Sequence, residues 1–293
     1  MRNGRLSALW ADRVIGRLAT LGMLAAGGAE AGTVEVLHAD SLAGPMSELK
    51  KAFEAKSKDV VINLTSGVSR QLAERILKGE RCDVFASSSP AVIDEDLMAK
   101  TIAGSGAAGA SWYVVFSANE MVVIVEKANP RGIRGLSDLA KPGVTFARAT
   151  GDSDLATGRT IEFLNRASGL EGKPELAQAI IAKSIFDPSK PTSVPEIVSA
   201  VREGRANAGV VYYSAAVAAR GQVDIIRFPD IVNLSETIRN AATVPGKAQN
   251  PEAAIDFVRF LLTPEAHGIL TATGQPPVIP WMVKGKVPAA IGR

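Results

Sequence analysis

Strand-like and helix-like patterns alternate along nearly the whole chain, which predicts an α/β protein with parallel-type sheets and helices on both faces. Three observations predict it. Apolar, β-branched runs of strand length recur, among them Thr33 to Ala39, Asp59 to Thr65 and Glu120 to Glu126. Segments of helical period with one apolar face fill the intervals, such as Arg70 to Lys78 with Leu72, Ile76 and Leu77. Serine- or glycine-bearing turns join several strands to the helix that follows. The pattern falls into two clusters, before and after about residue 117, which predicts two lobes.

The N-terminus stands apart. Arg2, Arg5 and Arg13 precede the apolar, alanine-rich run from Leu18, and Ala29-Glu30-Ala31 fits a small-x-small cleavage site. Residues 1–31 therefore read as a secretory signal peptide, too short and too closely flanked by Arg17 to span a bilayer.

The first predicted strand, Thr33 to Ala39, runs into Ser41, which opens a helix with Pro45 in its first turn and Leu49 and Phe53 on its apolar face. A serine hydroxyl and free backbone N–H groups at one helix mouth make an anion site in outline. Alone, Ser41 is simply a helix cap. The arrangement recurs, however: strand 59–65, then Ser66-Gly67-Val68-Ser69, then the helix from Arg70 that Gly79 ends. Cys82 to Ala86 is a third strand, and Ser87-Ser88-Ser89-Pro90, which could also present hydroxyls, reads first as a turn and N-cap for a helix from Ala91 to Met98.

Residues 103–109 contain the spacing G-x-G-x-x-G, but the run neither leaves a strand nor opens a helix, so it predicts a loop and not a dinucleotide site. After the strand from Glu120 come a short helix from Gly135, a strand over Val144 to Ala149, and the polar loop 150–158, which feeds a helix through Ile161, Phe163 and Leu164. Another helix spans Pro174 to Lys183. Ser193 with Glu196 forms a capping-box pattern, with Pro195 in the first turn of a helix through Ile197, Val198 and Val201. Asn207 to Tyr213 is a strand, Ser214 starts a helix, and Asp224 to Phe228 is a further strand. Two helices, Glu252 to Leu262 and Pro264 to Thr273, follow. In open α/β sheets ligands sit at the carboxyl ends of strands, and a cleft between the lobes would collect Ser41, Ser69, the 150–158 loop, Val194 and Tyr212.

Composition removes several functions. The content of hydrophobic residues, 46%, suffices for two cores, and a net charge of +3 is scattered, with no basic stripe interleaved with aromatics to recruit nucleic acid. The single cysteine, Cys82, forbids an internal disulfide and reads as a core thiol. With only two histidines besides, a conventional zinc site is not expected.

These residues resemble the molybdate-binding periplasmic proteins of ABC importers and their tungstate-binding relatives. The resemblance rests on His38-Ala-Asp-Ser41-Leu, Gly67-Val-Ser69, Cys82-Asp-Val-Phe-Ala-Ser, Ala156-Thr-Gly158, Gly209-Val-Val-Tyr212 and Ala266-His-Gly-Ile-Leu with Thr273-Gly, and covers nearly all of the chain after residue 31. It implies a two-lobed periplasmic-binding-protein fold of the second type, with 32–117 plus 228–293 as lobe I and 118–227 as lobe II. It further implies a monomeric periplasmic binder, not an enzyme, with no cofactor, whose partners are a small-molecule anion and the ABC importer membrane permease. Carried over motif by motif, Ser41 and Ser69 would hold the anion by their hydroxyls, Thr157 and Val194 by backbone N–H, and Tyr212 by its phenol.

Three features depart from that pattern. Asp40 stands where a small residue is usual, and a carboxylate beside an anion is unfavourable unless paired or turned away. Thr157 replaces a residue that is often smaller. Arg70, Arg148 and Arg159 lie beside the expected site, where solvation or pairing with Asp40, Asp152 or Asp154 is the simple account. An arginine facing the cleft would instead suit sulfate or a small organic carboxylate. An envelope serine hydrolase is the remote alternative, without a G-x-S-x-G elbow to support it.

Overall fold

The computed structural model describes residues 32–151 and 155–291. The expected signal peptide and the acids Asp152 and Asp154 lie outside the described residues.

Strand β1 (Gly32–Ala39) is the axis of the first sheet. Its alternation divides two cores: Val34 and Val36 face one cluster, and Leu37 faces another. A short turn, Asp40–Leu42, leads into helix α1 (Ala43–Lys56), whose Met46, Leu49 and Phe53 are buried on the first of those faces. β2 (Val60–Gly67) pairs parallel with β1 over its full length, from Gly32 with Val60 to Ala39 with Gly67. α2 (Ser69–Leu77) buries Leu72, Ala73 and Ile76 on the opposite face. β3 (Val84–Ser87) flanks β1 on the other side, also parallel. The turn α3 (Pro90–Val92) continues as a π-helical stretch over Ile93–Met98.

β4 (Trp112–Ala118) and β5 (Met121–Glu126) belong to different sheets, so Asn119 and Glu120 carry the chain from one to the other. The second sheet comprises β5, β6 (Phe146–Ala147), β7 (Ala208–Tyr212) and β8 (Val223–Ile226), in the order β6-β7-β5-β8. Around it lie α4 (Leu136–Leu139), α5 (Leu155–Leu170), α6 (Glu175–Ile181), α7 (Val194–Arg202), α8 (Tyr213–Ala218) and α9 (Asp230–Asn233). At Gly209 in β7 an added Cβ would lie 2.8 Å from Ile197 Cγ2 and 3.0 Å from the Ala147 carbonyl, so only glycine lets α7 sit this close to β7.

Residues 227–238 return the chain to the first sheet, completed by β9 (Arg239–Thr243), α10 (Pro251–Phe260), α11 (Pro264–Ala272) and β10 (Pro277–Gly285). Its order is β10-β4-β9-β3-β1-β2. The expected α/β class holds, with two sheets flanked by helices. Both sheets are mixed: β1–β2, β1–β3 and β6–β7 are parallel, whereas β9 runs antiparallel to β3 and β4, and β5 to β7 and β8. The chain leaves the first sheet along β4 and re-enters along β9, and an exit and a return necessarily run in opposite directions. β9 and β10 carry no strand signal of the kind used above. β9 reads Arg-Asn-Ala-Ala-Thr, and the edge strand β10 is mostly exposed, with two prolines.

A buried polar network lies where the sheets join. Asn240 Nδ2 donates to Ser117 Oγ (2.9 Å) and Gln275 Oε1 (2.8 Å), and Asn119 Nδ2 donates to Ser214 Oγ (2.9 Å). In turn Ser214 Oγ (2.8 Å) and Gln275 Nε2 (2.6 Å) both donate to the backbone carbonyl of Ser41.

Candidate functional site

Ser41 is 6% exposed, and its Oγ has no hydrogen-bond partner in the protein. A buried hydroxyl left in this state costs about 1–3 kcal/mol, so it is a donor awaiting an acceptor. It is not a cap: α1 has Leu42 at its N-cap, without a side-chain bond. The carbonyl of Ser41, clamped by Ser214 and Gln275, fixes where the hydroxyl sits.

Ser41 lines a cavity of about 30 Å³. Ser41, Ser69, Ser88, Ala156, Val194 and Tyr212 are among its walls. Ser69 is the first residue of α2 and is 3% exposed. Its Oγ accepts from the Ser88 backbone N–H (3.2 Å) and meets Ser88 Oγ (3.3 Å). Three helices begin at this point: α2 at Ser69, α5 at Leu155 and α7 at Val194. A helix start carries partial positive charge. At α7 the capping-box pattern holds, with Glu196 accepting from the Ser193 N–H (2.7 Å) and Oγ–H (2.8 Å).

Four of the five expected residues thus line one cavity: Ser41, Ser69, Val194 and Tyr212. Thr157 does not; Leu155 and Ala156 from the same turn of α5 stand there in its place. Its Oγ1 is buried and without a protein partner. The expected turn and cap of the 87–89 serine run falls to a single residue. Ser89 is the cap, its Oγ accepting from the Ala91 N–H at 3.3 Å, while Ser88 is 6% exposed in the cavity wall. A run of three serines after a strand signals that one is structural, but not which one.

The arginines separate. Arg70 donates to Glu95 and Asp96, both at 2.8 Å, and not to Asp40. Arg148 is buried, not solvated, with Nη1 donating to the Ala149 carbonyl (2.9 Å), and desolvation lowers its pKa. Arg159 stands at the site. Its Nη1 donates to the Tyr212 hydroxyl (3.0 Å) and its Nη2 to the Ser88 carbonyl (2.8 Å), so one guanidinium ties a helix of the second sheet to the β3 loop of the first. Asp40, which also lines the cavity, accepts from Ser66 Oγ.

Neither histidine is set beside a serine as a base. His38 is buried, its Nδ1 donating to the Ala39 carbonyl (2.9 Å), and burial pushes its pKa down. Cys82 is buried in the core, where desolvation raises its thiol pKa far above the range of a nucleophile. Among the described residues, no group of three or more His, Cys, Asp or Glu is placed to hold a metal ion. No described helix is long and apolar enough to cross a membrane.

Residues 34–275 match the family described as "Bacterial extracellular solute-binding protein". The molybdate-binding protein ModA of Mycobacterium tuberculosis (strain ATCC 25618 / H37Rv) is 26% identical over 242 residues, 83% of this chain and 84% of that one. The sulfate-binding protein of Synechococcus elongatus is 22% identical over 236 residues, 78% of this chain and 66% of the other. Among solved structures, the periplasmic molybdate-binding protein of Azotobacter vinelandii superposes with a TM-score of 0.61 at 18% identity, covering 83% of this chain and 98% of its own. The sulfate-binding protein SubI of Mycobacterium tuberculosis H37Rv gives 0.63 at 18% identity, covering 85% and 88%. These structural likenesses carry the fold, that of periplasmic binding proteins of the second type.

Proposed function

The chain belongs to the bacterial extracellular solute-binding proteins, and from that premise we propose that it captures a tetrahedral oxyanion, molybdate or tungstate, for an ABC importer permease. One observation supports this above the rest: Ser41, whose buried Oγ has no partner, lines a small cavity beside the starts of three helices. Fixed neutral donors and helix termini stabilise a dianion without any paired cation. In this reading Ser41, Ser69, Ser88 and Tyr212 present hydroxyls, and Thr157 in the first turn of α5 and Val194 at the start of α7 present backbone N–H groups.

The two sheets are read as two lobes, 32–117 plus 228–293 and 118–227, joined by the links at 118–120 and 227–238. Ligand contacts on both sides favour closure, since a ligand shifts an equilibrium by its differential affinity for the two states. Export by the N-terminal segment and action as a monomer complete the proposal.

A second reading, sulfate or a small organic carboxylate as ligand, is favoured by Arg159, whose guanidinium contacts two residues of the cavity wall. Calorimetric titration of the purified protein with molybdate, tungstate, sulfate and citrate decides between them. Molybdate or tungstate should bind at least about tenfold tighter than sulfate, a difference of about 1.4 kcal/mol. Tighter binding of sulfate or citrate overturns the first reading in favour of the second.

A further inference from the structure

A second, larger cavity of about 300 Å³ adjoins the small one. Val198, Ala215, Ala218 and Ala219 give it an apolar wall, and it shares Asp40, Ser41 and Val194 with its neighbour. The two thus lie side by side around these residues. The larger has the volume of a small-molecule site, and apolar walls offer nothing to a bare tetraoxo dianion.

Asp40 stands at the junction. Its carboxylate accepts from Ser66 Oγ and retains further acceptor capacity, since a carboxylate can take about four hydrogen bonds. Beside a bare anion that charge is repulsive. It becomes favourable if the ligand itself carries a cation next to its anionic head. Arg202, a cation that also lines the larger cavity, does not fill this role, since it donates to Ser199 (3.0 Å), Glu203 (3.1 Å) and Gln222 (3.3 Å).

We propose, resting on the placement of the anionic head given above, that besides a bare oxyanion the site admits an amine-bearing organic oxyanion of the aminoalkyl sulfonate or phosphonate class. The tetrahedral head occupies the small chamber against Ser41, Ser69 and Tyr212. The carbon chain lies along Ala215 and Ala218, and the ammonium pairs with Asp40.

The test is calorimetric titration with three probes: sulfate, 2-aminoethanesulfonate and 2-hydroxyethanesulfonate, the last matching the second in head and length but lacking the charge. The amine should bind at least about tenfold tighter than the alcohol, the scale of one charge-assisted hydrogen bond. Asp40→Asn, which keeps an acceptor for Ser66, should bring the two within about threefold. Ala218→Trp, at an exposed position of the larger chamber, should weaken the amine about tenfold and spare sulfate. If sulfate binds and the amine is no tighter than the alcohol, the two-chamber ligand is refuted while the oxyanion site stands. If none of the probes binds, and molybdate and tungstate also fail, the proposal falls together with the site on which it rests.

Discussion

Replacing Ser41 by alanine should move stability and affinity in opposite directions. The Ser41 hydroxyl is buried without a protein partner. Its removal relieves a desolvation penalty of up to about 1–3 kcal/mol, less whatever a water in the cavity already recovers. At about 2–4 °C per kcal/mol for a chain of this size, the melting temperature without ligand should stay level or rise by a few degrees. Anion binding should weaken about ten- to hundredfold, the loss of one hydrogen bond to a charged ligand of about 1.5–3 kcal/mol. Ser69 supplies the contrast. Its Oγ already accepts from the Ser88 N–H, so Ser69→Ala orphans a buried donor and should lower the melting temperature by a few degrees while also weakening binding. Melting curves without ligand, paired with calorimetric titration, read both quantities. A clear fall in the melting temperature of Ser41→Ala with affinity intact would refute the argument, because it would make Ser41 a structural residue.

Three further outcomes are expected. Arg159→Gln removes the donors to Tyr212 and Ser88, so stopped-flow displacement should show ligand release about tenfold faster; an unchanged rate would deny the guanidinium its role as a tie across the cleft. Gly274→Val should destabilise by about 2 kcal/mol or more in urea melts. That position has φ of +79°, and an added Cβ would lie 2.9 Å from Val217 Cγ2 and 3.1 Å from Ser214 Cα. His38 is held neutral by burial, so its folded pKa lies below its unfolded value. The stability it contributes is complete above about pH 6.5 and is lost as the pH falls from there through the folded pKa. His38→Asn should flatten that part of a stability–pH profile, and an unaltered slope would show that other groups set it.

Much of the architecture was legible because the strands of the interior announce themselves. β1, β2, β5 and β7 are apolar or alternating, and the helices after them show clean faces, so the α/β class followed from periodicity alone. The strand directions did not. The antiparallel placement of β9 and β10 in the first sheet and of β5 in the second makes both mixed, and no local pattern encodes these pairings. β9 was invisible because its core-facing residues are Ala241 and Ala242, too small to signal burial. In the site, Ser41, Ser69, Val194 and Tyr212 could be named from the family resemblance, and each ends a strand or opens a helix. Ser88 stood in a run of three serines that could cap a helix or present hydroxyls. Ser214 and Gln275, which hold the Ser41 carbonyl, act through contacts 173 and 234 residues apart in sequence, a separation that periodicity cannot bridge.

The ordering of strands in the first sheet has a consequence for how the molecule comes into being. Its outer half, β9, β4 and β10, includes strands from residues 239–285, while β1, β2 and β3 come from residues 32–87. The second sheet draws on the continuous stretch 121–226. During synthesis that inner stretch is complete while the first sheet still lacks β9 to bridge β3 to β4. The cavity beside Ser41, whose carbonyl is clamped by Gln275, is therefore complete only once segments 234 residues apart have met.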